Sequence, residues 1–73
     1  MTHLALIGLS GVRNIGDTPY TEHKSEQRLI DADTTALAMD KVLAYYQTPA
    51  VRASFEPWVD LKVIDVVIAE TIR

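Results

Sequence analysis

Residues 59–72 decide the fold, and they read Val-Asp-Leu-Lys-Val-Ile-Asp-Val-Val-Ile-Ala-Glu-Thr-Ile. Eight of these fourteen residues are β-branched. Because β-branched side chains have restricted χ1 rotamers and pack well on a pleated surface, the stretch predicts a β-strand. The alternative is a helix that begins at Pro57. On a helical wheel its charged residues would be scattered around the circumference and would leave no polar face. We therefore predict a strand over Val59–Ile72.

The predicted strand is apolar on both faces when it is read with a period of two. The more apolar face is interrupted only by Asp65 and comprises Val59, Leu61, Val63, Val67 and Ala69. The other face combines the charged residues Asp60, Lys62 and Glu70 with Ile64, Val66, Ile68 and Ile72. By this alternation Asp60 and Asp65 fall on opposite faces, so they do not form a carboxylate pair.

The N-terminal half of the chain predicts a β-hairpin. Residues Thr2–Arg13 are apolar on both faces, which is typical of a central strand. The following stretch, Asn14–Pro19, is dense in turn-forming residues. The polar stretch Tyr20–Ile30 alternates charged with mostly uncharged residues, and it predicts a solvated edge strand.

The loop of this hairpin determines which residues face each other. With a loop over Ile15–Thr18, Ser10 lies opposite His23 and His3 lies opposite Ile30. The two histidines are then about 20 Å apart along the ribbon, so they cannot share a metal ion and we expect no metal site. Ser10 beside His23 superficially resembles a nucleophile–base pair. Because no oxyanion-hole element is evident, we assign no catalytic residue.

Two helices are predicted between the hairpin and the last strand. Asp33 is the predicted N-cap of a main helix over Thr34–Tyr46. The residues of its predicted core-facing stripe are Ala36, Met39, Val42, Leu43 and Tyr46. A short helix over Pro49–Phe55 follows, because Thr48 and Pro49 form a start signal that Glu56 and Pro57 end.

These elements predict a single α+β domain over residues 1–73 with the order β-β-α-β and a short extra helix before the last strand. A right-handed crossover gives an antiparallel three-stranded sheet in the order 2-1-3, with the main helix on one face. One helix cannot cover both faces of a sheet whose first and third strands are apolar on both. We therefore expect a partner on the second face, either another copy of the chain or a different protein, and we favour a homo-oligomer.

Composition limits the classes of function. The 73 residues include no cysteine and carry a net charge of −3, which fits a reducing compartment and disfavours nucleic-acid binding. No window approaches the roughly 18 apolar residues of a membrane helix. We therefore predict a cytoplasmic protein without membrane contact.

The glycines near the end of the first strand do not indicate a cofactor. Gly8-Leu9-Ser10-Gly11 resembles the start of a phosphate-binding loop, but the lysine and the helix that such a loop requires are missing. We expect no cofactor, and we interpret these glycines as sites of a bulge or of close packing.

Four residues are the predicted binding candidates: Tyr45, Phe55, Trp58 and Asp65. The three aromatic residues come together at the end of the main helix and in the following connection, and aromatic side chains dominate binding hot spots. The alternative is that they close one end of a small core. Asp65 interrupts an apolar face, which is typical of a residue that pairs with an arginine or lies at a bulge or at a wet interface.

The sequence supports two hypotheses of function. The first is a non-enzymatic protein-interaction module, a binder, modulator or inhibitor of another protein in the manner of the small accessory proteins of mobile elements. The second is a small oligomeric enzyme or ligand-binding protein whose site forms between subunits from Ser10, Arg13, His23 or Asp65. A nucleic-acid binder that uses Arg13, Lys24, Arg28 and Lys41 ranks third. The absence of a convergent polar site in the sequence favours the first hypothesis.

Overall fold

The computed structural model describes residues 1–72. Its elements in chain order are β1 (Thr2–Ile15), β2 (Thr18–Asp31), α1 (Thr35–Gln47), α2 (Pro49–Ala53) and β3 (Val59–Ile72). The sheet has the order β2-β1-β3, and both pairings are antiparallel. The predicted α+β fold, strand order and short extra helix are thus confirmed.

The hairpin has the predicted register. Ser10 lies opposite His23, and the strands pair up to a two-residue turn at Gly16 and Asp17. Gly16 has a φ of 61°, a left-handed conformation that costs glycine little because it has no Cβ. The predicted four-residue loop is therefore shortened, since Ile15 and Thr18 also pair.

Strand β3 is not regular. Its register against β1 shifts in three places, and at two of them one residue of β3 has no partner: Ile64 and Ala69. Each extra residue reverses which side of the sheet the following side chains face. As a result Val63, Val66 and Ile68 pair with buried residues of β1, whereas Asp65 and Val67 face the other side. The predicted strict alternation, with Val63 and Val67 on one face, is wrong for this reason.

The core lies between α1 and one face of the sheet. Alternate residues of β1 point into it, and they pack against two residues of α1 and one of β3. The members of this cluster are Ala5, Ile7, Leu9, Val42, Tyr46 and Leu61. Both helices lie on this side, and within residues 1–72 neither helix has the length or apolar character needed to cross a membrane.

The buried stripe of α1 differs from the predicted one. Its buried residues are Ala38, Val42 and Tyr46, spaced four apart as one helix face requires. Leu43 is 44% exposed and therefore lies beside the stripe, not on it. The helix begins one residue later than predicted because Thr34, not Asp33, is the N-cap, and its Oγ1 accepts a 3.1 Å hydrogen bond from the Leu37 amide.

We expect Val42→Ala to lower the free energy of unfolding by about 2 kcal/mol, because Val42 is fully buried and the change leaves a cavity. The matched variant is Leu43→Ala on the adjacent face, for which we expect a loss of less than about 1 kcal/mol. Urea unfolding of both variants tests this. A larger loss for Leu43→Ala would mean that the helix is rotated about its axis relative to the sheet.

Candidate functional site

The sheet face turned away from α1 and α2 is called the open face here. Antiparallel partners point to the same side of a sheet, so the register assigns its residues. On β1 and β2 they are Thr2, Leu4, Leu6, Gly8, Ser10, Val12, Asn14, Pro19, Thr21, His23, Ser25, Gln27, Leu29 and Asp31. On β3 they are Val59, Lys62, Ile64, Asp65, Val67, Glu70 and Ile72.

The open face carries large apolar side chains that no part of residues 1–72 covers. Leu29 is 65% exposed, Ile64 56%, Val67 47% and Leu6 37%. Because both helices pack on the opposite face, these side chains have only water and one another as neighbours. A contiguous apolar surface of this kind is characteristic of an interaction site.

Most of the charged side chains of β2 point away from the open face. Glu22, Lys24, Glu26 and Arg28 pair with buried residues of β1, so they lie on the helix side. Of the fourteen open-face residues of β1 and β2, only Asp31 at the end of β2 carries a formal charge with His23 neutral, although 23% of the whole chain is charged. The other charged residues on this face are on β3. The predicted solvated edge strand therefore carries most of its charged side chains on the helix side, whereas its side chains on the open face are mostly uncharged.

Tyr46 connects α1 to these inward charges. Its hydroxyl donates a 2.6 Å hydrogen bond to Glu26 Oε1 and accepts one of 3.1 Å from Arg28 Nε. Burial and the bond to Glu26 raise the pKa of Tyr46 to about 12. Burial alone would raise the pKa of Glu26, but the Tyr46 hydroxyl and the charges of Arg28 and Lys24 outweigh it and lower that pKa. This network links α1 to β2 and so fixes the helix on the sheet.

We expect Tyr46→Phe to cost about 1–2 kcal/mol of stability near neutral pH, because Glu26 and Arg28 both lose a buried partner. The pKa of Tyr46 is higher in the folded chain than its usual 10.0, so its contribution is complete below pH 10 and is lost as the pH rises toward 12. Chemical unfolding below pH 10 should show the full difference in stability between wild type and Tyr46→Phe, and that difference should shrink as the pH rises toward 12. A constant difference across this interval would show that the hydroxyl does not ionise as inferred.

The three aromatic binding candidates lie together, but on the helix side. The rings of Phe55 and Trp58 are stacked with centroids 6.2 Å apart, and Phe55 lies 6.2 Å from Tyr46. Tyr45 meets Tyr46 edge to face at 5.0 Å. All three candidates are half-buried and pack against the core. Their prediction as an interface remains a prediction, while their packing matches the alternative that they close one end of the core.

Asp65 lies apart from the aromatic cluster, on the open face opposite Gly8. It is exposed and directly follows the bulge at Ile64, which agrees with one of the settings expected for it. The four candidates are therefore divided between the two sides of the sheet.

The basic side chains do not form one surface. Arg13 Nε lies 2.8 Å from Glu22 Oε1, and Lys24 lies 3.5 Å from Glu26 Oε2. The guanidinium of Arg28 lies 4.2 Å from the centroid of the Tyr45 ring, whereas Lys41 Nζ donates to the Asp31 carbonyl. Cations already engaged and spread in this way give little support to nucleic-acid binding.

The two histidines have different roles. His23 is exposed on the open face, and within residues 1–72 no hydrogen bond joins it to Ser10. His3 is buried: its Nε2 lies 3.0 Å from the Ala32 carbonyl oxygen and its Nδ1 lies 2.9 Å from Thr71 Oγ1. Because a carbonyl oxygen only accepts, Nε2–H donates to Ala32, and in that tautomer Nδ1 accepts from the Thr71 hydroxyl. The odd-numbered alternation of β1 is the sequence signal that could have identified His3 as buried.

No group of three histidine, aspartate or glutamate side chains within residues 1–72 is arranged to hold a metal ion. Comparison of the chain with protein-family models, with curated proteins and with solved structures returns no match. The assignment of function therefore depends on the surfaces described above.

Proposed function

We propose that this protein acts by contact, as a non-enzymatic interaction module that binds a protein partner through the open face. The partner is either a different protein, which the chain would modulate or inhibit, or a second copy of the chain. The observation that carries the proposal is the combination of exposed apolar residues and sparse charge across β1 and β2 on that face, where Asp31 at the end of β2 is the one formal charge.

The physical argument concerns the cost of leaving this face in water. Burial of apolar surface contributes about 25 cal/mol per Å², so covering Leu29, Ile64 and Val67 would stabilise a complex. The centres of protein interfaces are depleted in charged residues, and on this face the formal charges lie on β3 and at the end of β2. The other charges of β2 point to the helix side, where covering the open face would not desolvate them.

The aromatic residues Tyr45, Phe55 and Trp58 form a second, separate contact surface in this proposal. Two of them, Phe55 and Trp58, line a cavity of 220 Å³ together with Arg13 and Lys24. Stacked aromatic rings beside guanidinium and ammonium groups are typical of interface anchors. Because this surface lies across the sheet from the open face, one flat partner cannot cover both.

The test compares two variants that place the same lysine on opposite sides of the molecule. Val67→Lys introduces a charge in the open face, whereas Leu43→Lys introduces it on the exposed flank of α1. Tagged chains are used to capture protein, and the captured species, including untagged copies of the chain, are identified and then titrated as purified proteins. We expect a partner that wild type and Leu43→Lys bind equally and that Val67→Lys binds at least tenfold more weakly, about 1.4 kcal/mol.

The proposal fails if purified wild-type chain binds neither a captured protein nor itself. It also fails if both lysine variants bind the partner as tightly as wild type does. Circular dichroism of the two variants establishes that each remains folded, which is expected because both sites are about half exposed.

A further inference from the structure

We infer that the open face is covered by the open face of a second copy of this chain, with the twofold axis parallel to β1. This inference rests on the proposed function and specifies its partner. The two sheets then form a sandwich in which both layers of helices lie outside.

The size of the face fits a stable dimer. Three paired strands of 14 residues cover about 46 Å by about 14 Å at the usual strand rise and spacing, or roughly 650 Å² in projection. A specific interface of standard size buries about 800 Å² of accessible surface on each partner. Since accessible surface follows the side chains and exceeds the projected area, one open face supplies what one partner of such a dimer requires.

The distribution of charge distinguishes two ways of pairing the faces. A twofold axis across the strands would place β3 on β3 of the second copy. Asp65 lies opposite Gly8, at the middle of β1, so the two copies of Asp65 would meet at the centre of the interface. Two carboxylates that face each other out of water repel strongly, which disfavours this arrangement.

An axis parallel to β1 removes this conflict. It places β3 of one copy over β2 of the other. Residues at the same height along the strands then face each other, apart from the effect of the angle of about 30° between packed sheets. Asp65 then lies near Ser25 of the second copy, whose hydroxyl can donate to it, because both residues lie opposite Gly8. Lys62 is at the level of His23 for the same reason, through Ser10.

The apolar residues are also matched by this arrangement. Leu6 lies on β1 and therefore next to the axis, where it meets its own copy. Val67 is at the level of Gln27 of the second copy, and Glu70 at the level of Leu29 near the end of the sheet, where water reaches its carboxylate. Each charge of β3 is thus placed at the level of an uncharged residue of β2, and Asp31 at the end of β2 is at the level of Ile72.

The experiment uses the purified full chain, first by sedimentation equilibrium over a range of concentrations. Wild type and Leu43→Lys are expected to form dimers with the same dissociation constant. Val67→Lys is expected to raise that constant at least about tenfold, because its ammonium group would be removed from water without a partner.

Cysteine cross-linking then determines the axis, and the native chain contains no cysteine to interfere. With a short bis-maleimide, Leu6→Cys is expected to link to its own copy, and Asp65→Cys alone is not. An equimolar mixture of Asp65→Cys and Ser25→Cys is expected to give the mixed dimer. Leu43→Cys, on the helix side, is the control that should not link.

Three results would overturn the inference: a strictly monomeric chain, a dimer unaffected by Val67→Lys, or cross-linking of Asp65→Cys to itself without linking of Leu6→Cys. A monomeric chain that binds a different protein through the same face would refute the dimer and leave the proposed function intact. If Val67→Lys does not fold, the cross-linking pattern alone decides, because its cysteine variants change the surface much less.

Discussion

Gly11→Ala should destabilise the fold by about 3 kcal/mol, which is a large part of the stability of so small a domain. Gly11 is buried on the helix side of β1, and the Trp58 ring lies directly on it. A Cβ at this position would overlap ring atoms Cε3 and Cδ2 and would lie 2.8 Å from Cγ. Because the ring is rigid and held by a 3.1 Å hydrogen bond from Nε1 to Glu22, it can move away only by giving up that bond and its packing on Phe55.

Gly8→Ala is the matched control on the same strand. Its Cβ would point to the open face and lie 3.4 Å from Ile64 Cγ1 and from Asp65 Cβ, which is an ordinary packing distance. We expect a change of less than about 1 kcal/mol. Urea unfolding at low protein concentration, followed by Trp58 fluorescence, compares the two variants. Equal stability of Gly11→Ala and Gly8→Ala would show that Trp58 does not rest on Gly11.

His3→Ala should also cost about 3 kcal/mol, through a cavity and through two lost hydrogen bonds. The ring links three segments: it lies on β1, donates to the carbonyl of Ala32 before α1, and accepts from Thr71 at the end of β3. Without it the buried Ala32 carbonyl has no side-chain donor. Thermal unfolding of the variant measures the loss.

His23→Ala provides the comparison, because His23 is exposed and makes no side-chain contact of this kind. We expect a change of less than about 0.5 kcal/mol. Nitrogen chemical shifts of His3 should in addition report the Nε2–H form of the ring. Equal effects of the two substitutions, or an Nδ1–H ring at position 3, would contradict the role assigned to His3.

Much of the fold could be predicted from local patterns. The β-branched run gave both limits of β3, and the hairpin register followed from the turn residues around Gly16. Both signals come from properties of single residues, namely χ1 stiffness and the ability to adopt a positive φ. The order of the strands then followed from the handedness of one crossover.

The bulges of β3 could not be predicted because a period-two pattern assumes unbroken pairing. Because Ile64 and Ala69 have no partner on β1, the side chains of β3 do not alternate regularly between the two faces of the sheet. The apolar residues Val63, Val66 and Ile68 all face the helices as a result. An apolar run on both faces gives no position at which a bulge must fall. Asp65 was therefore assigned to the face of Val63 by an alternation that the bulge at Ile64 breaks.

The helix face was misjudged because apolar residues surround much of α1. Hydrophobicity alone does not separate a stripe through Leu43 from one through Ala38. The structure selects Ala38 because a small side chain lets the helix approach the sheet closely, with Val42 and Tyr46 on the same line. Which stripe of α1 is buried depends on the distance between the helix and the sheet, and the local sequence does not specify that distance.

The candidate site was predicted only in part. The surplus of apolar sheet surface followed correctly from counting one helix against two faces. The sparse charge of β1 and β2 on the open face did not, since the direction of Glu22, Lys24, Glu26 and Arg28 depends on the pairing of β2 with the inward residues of β1. Likewise, the three aromatic candidates were grouped correctly, but their separation from Asp65 depends on the side on which the chain crosses.

The position of β1 between strands that precede and follow the helices has a consequence for folding during synthesis. The hairpin of β1 and β2 can pair as soon as both strands are made, whereas β1 joins β3 only through contacts between distant parts of the chain. Non-local pairing of this kind slows folding because much of the chain must be ordered before it forms. Until residues 59–72 emerge from the ribosome, the edge of β1 that pairs with β3 presents unpaired backbone N–H and C=O groups, which can pair with another chain. We therefore expect the nascent chain to depend on chaperones over that interval.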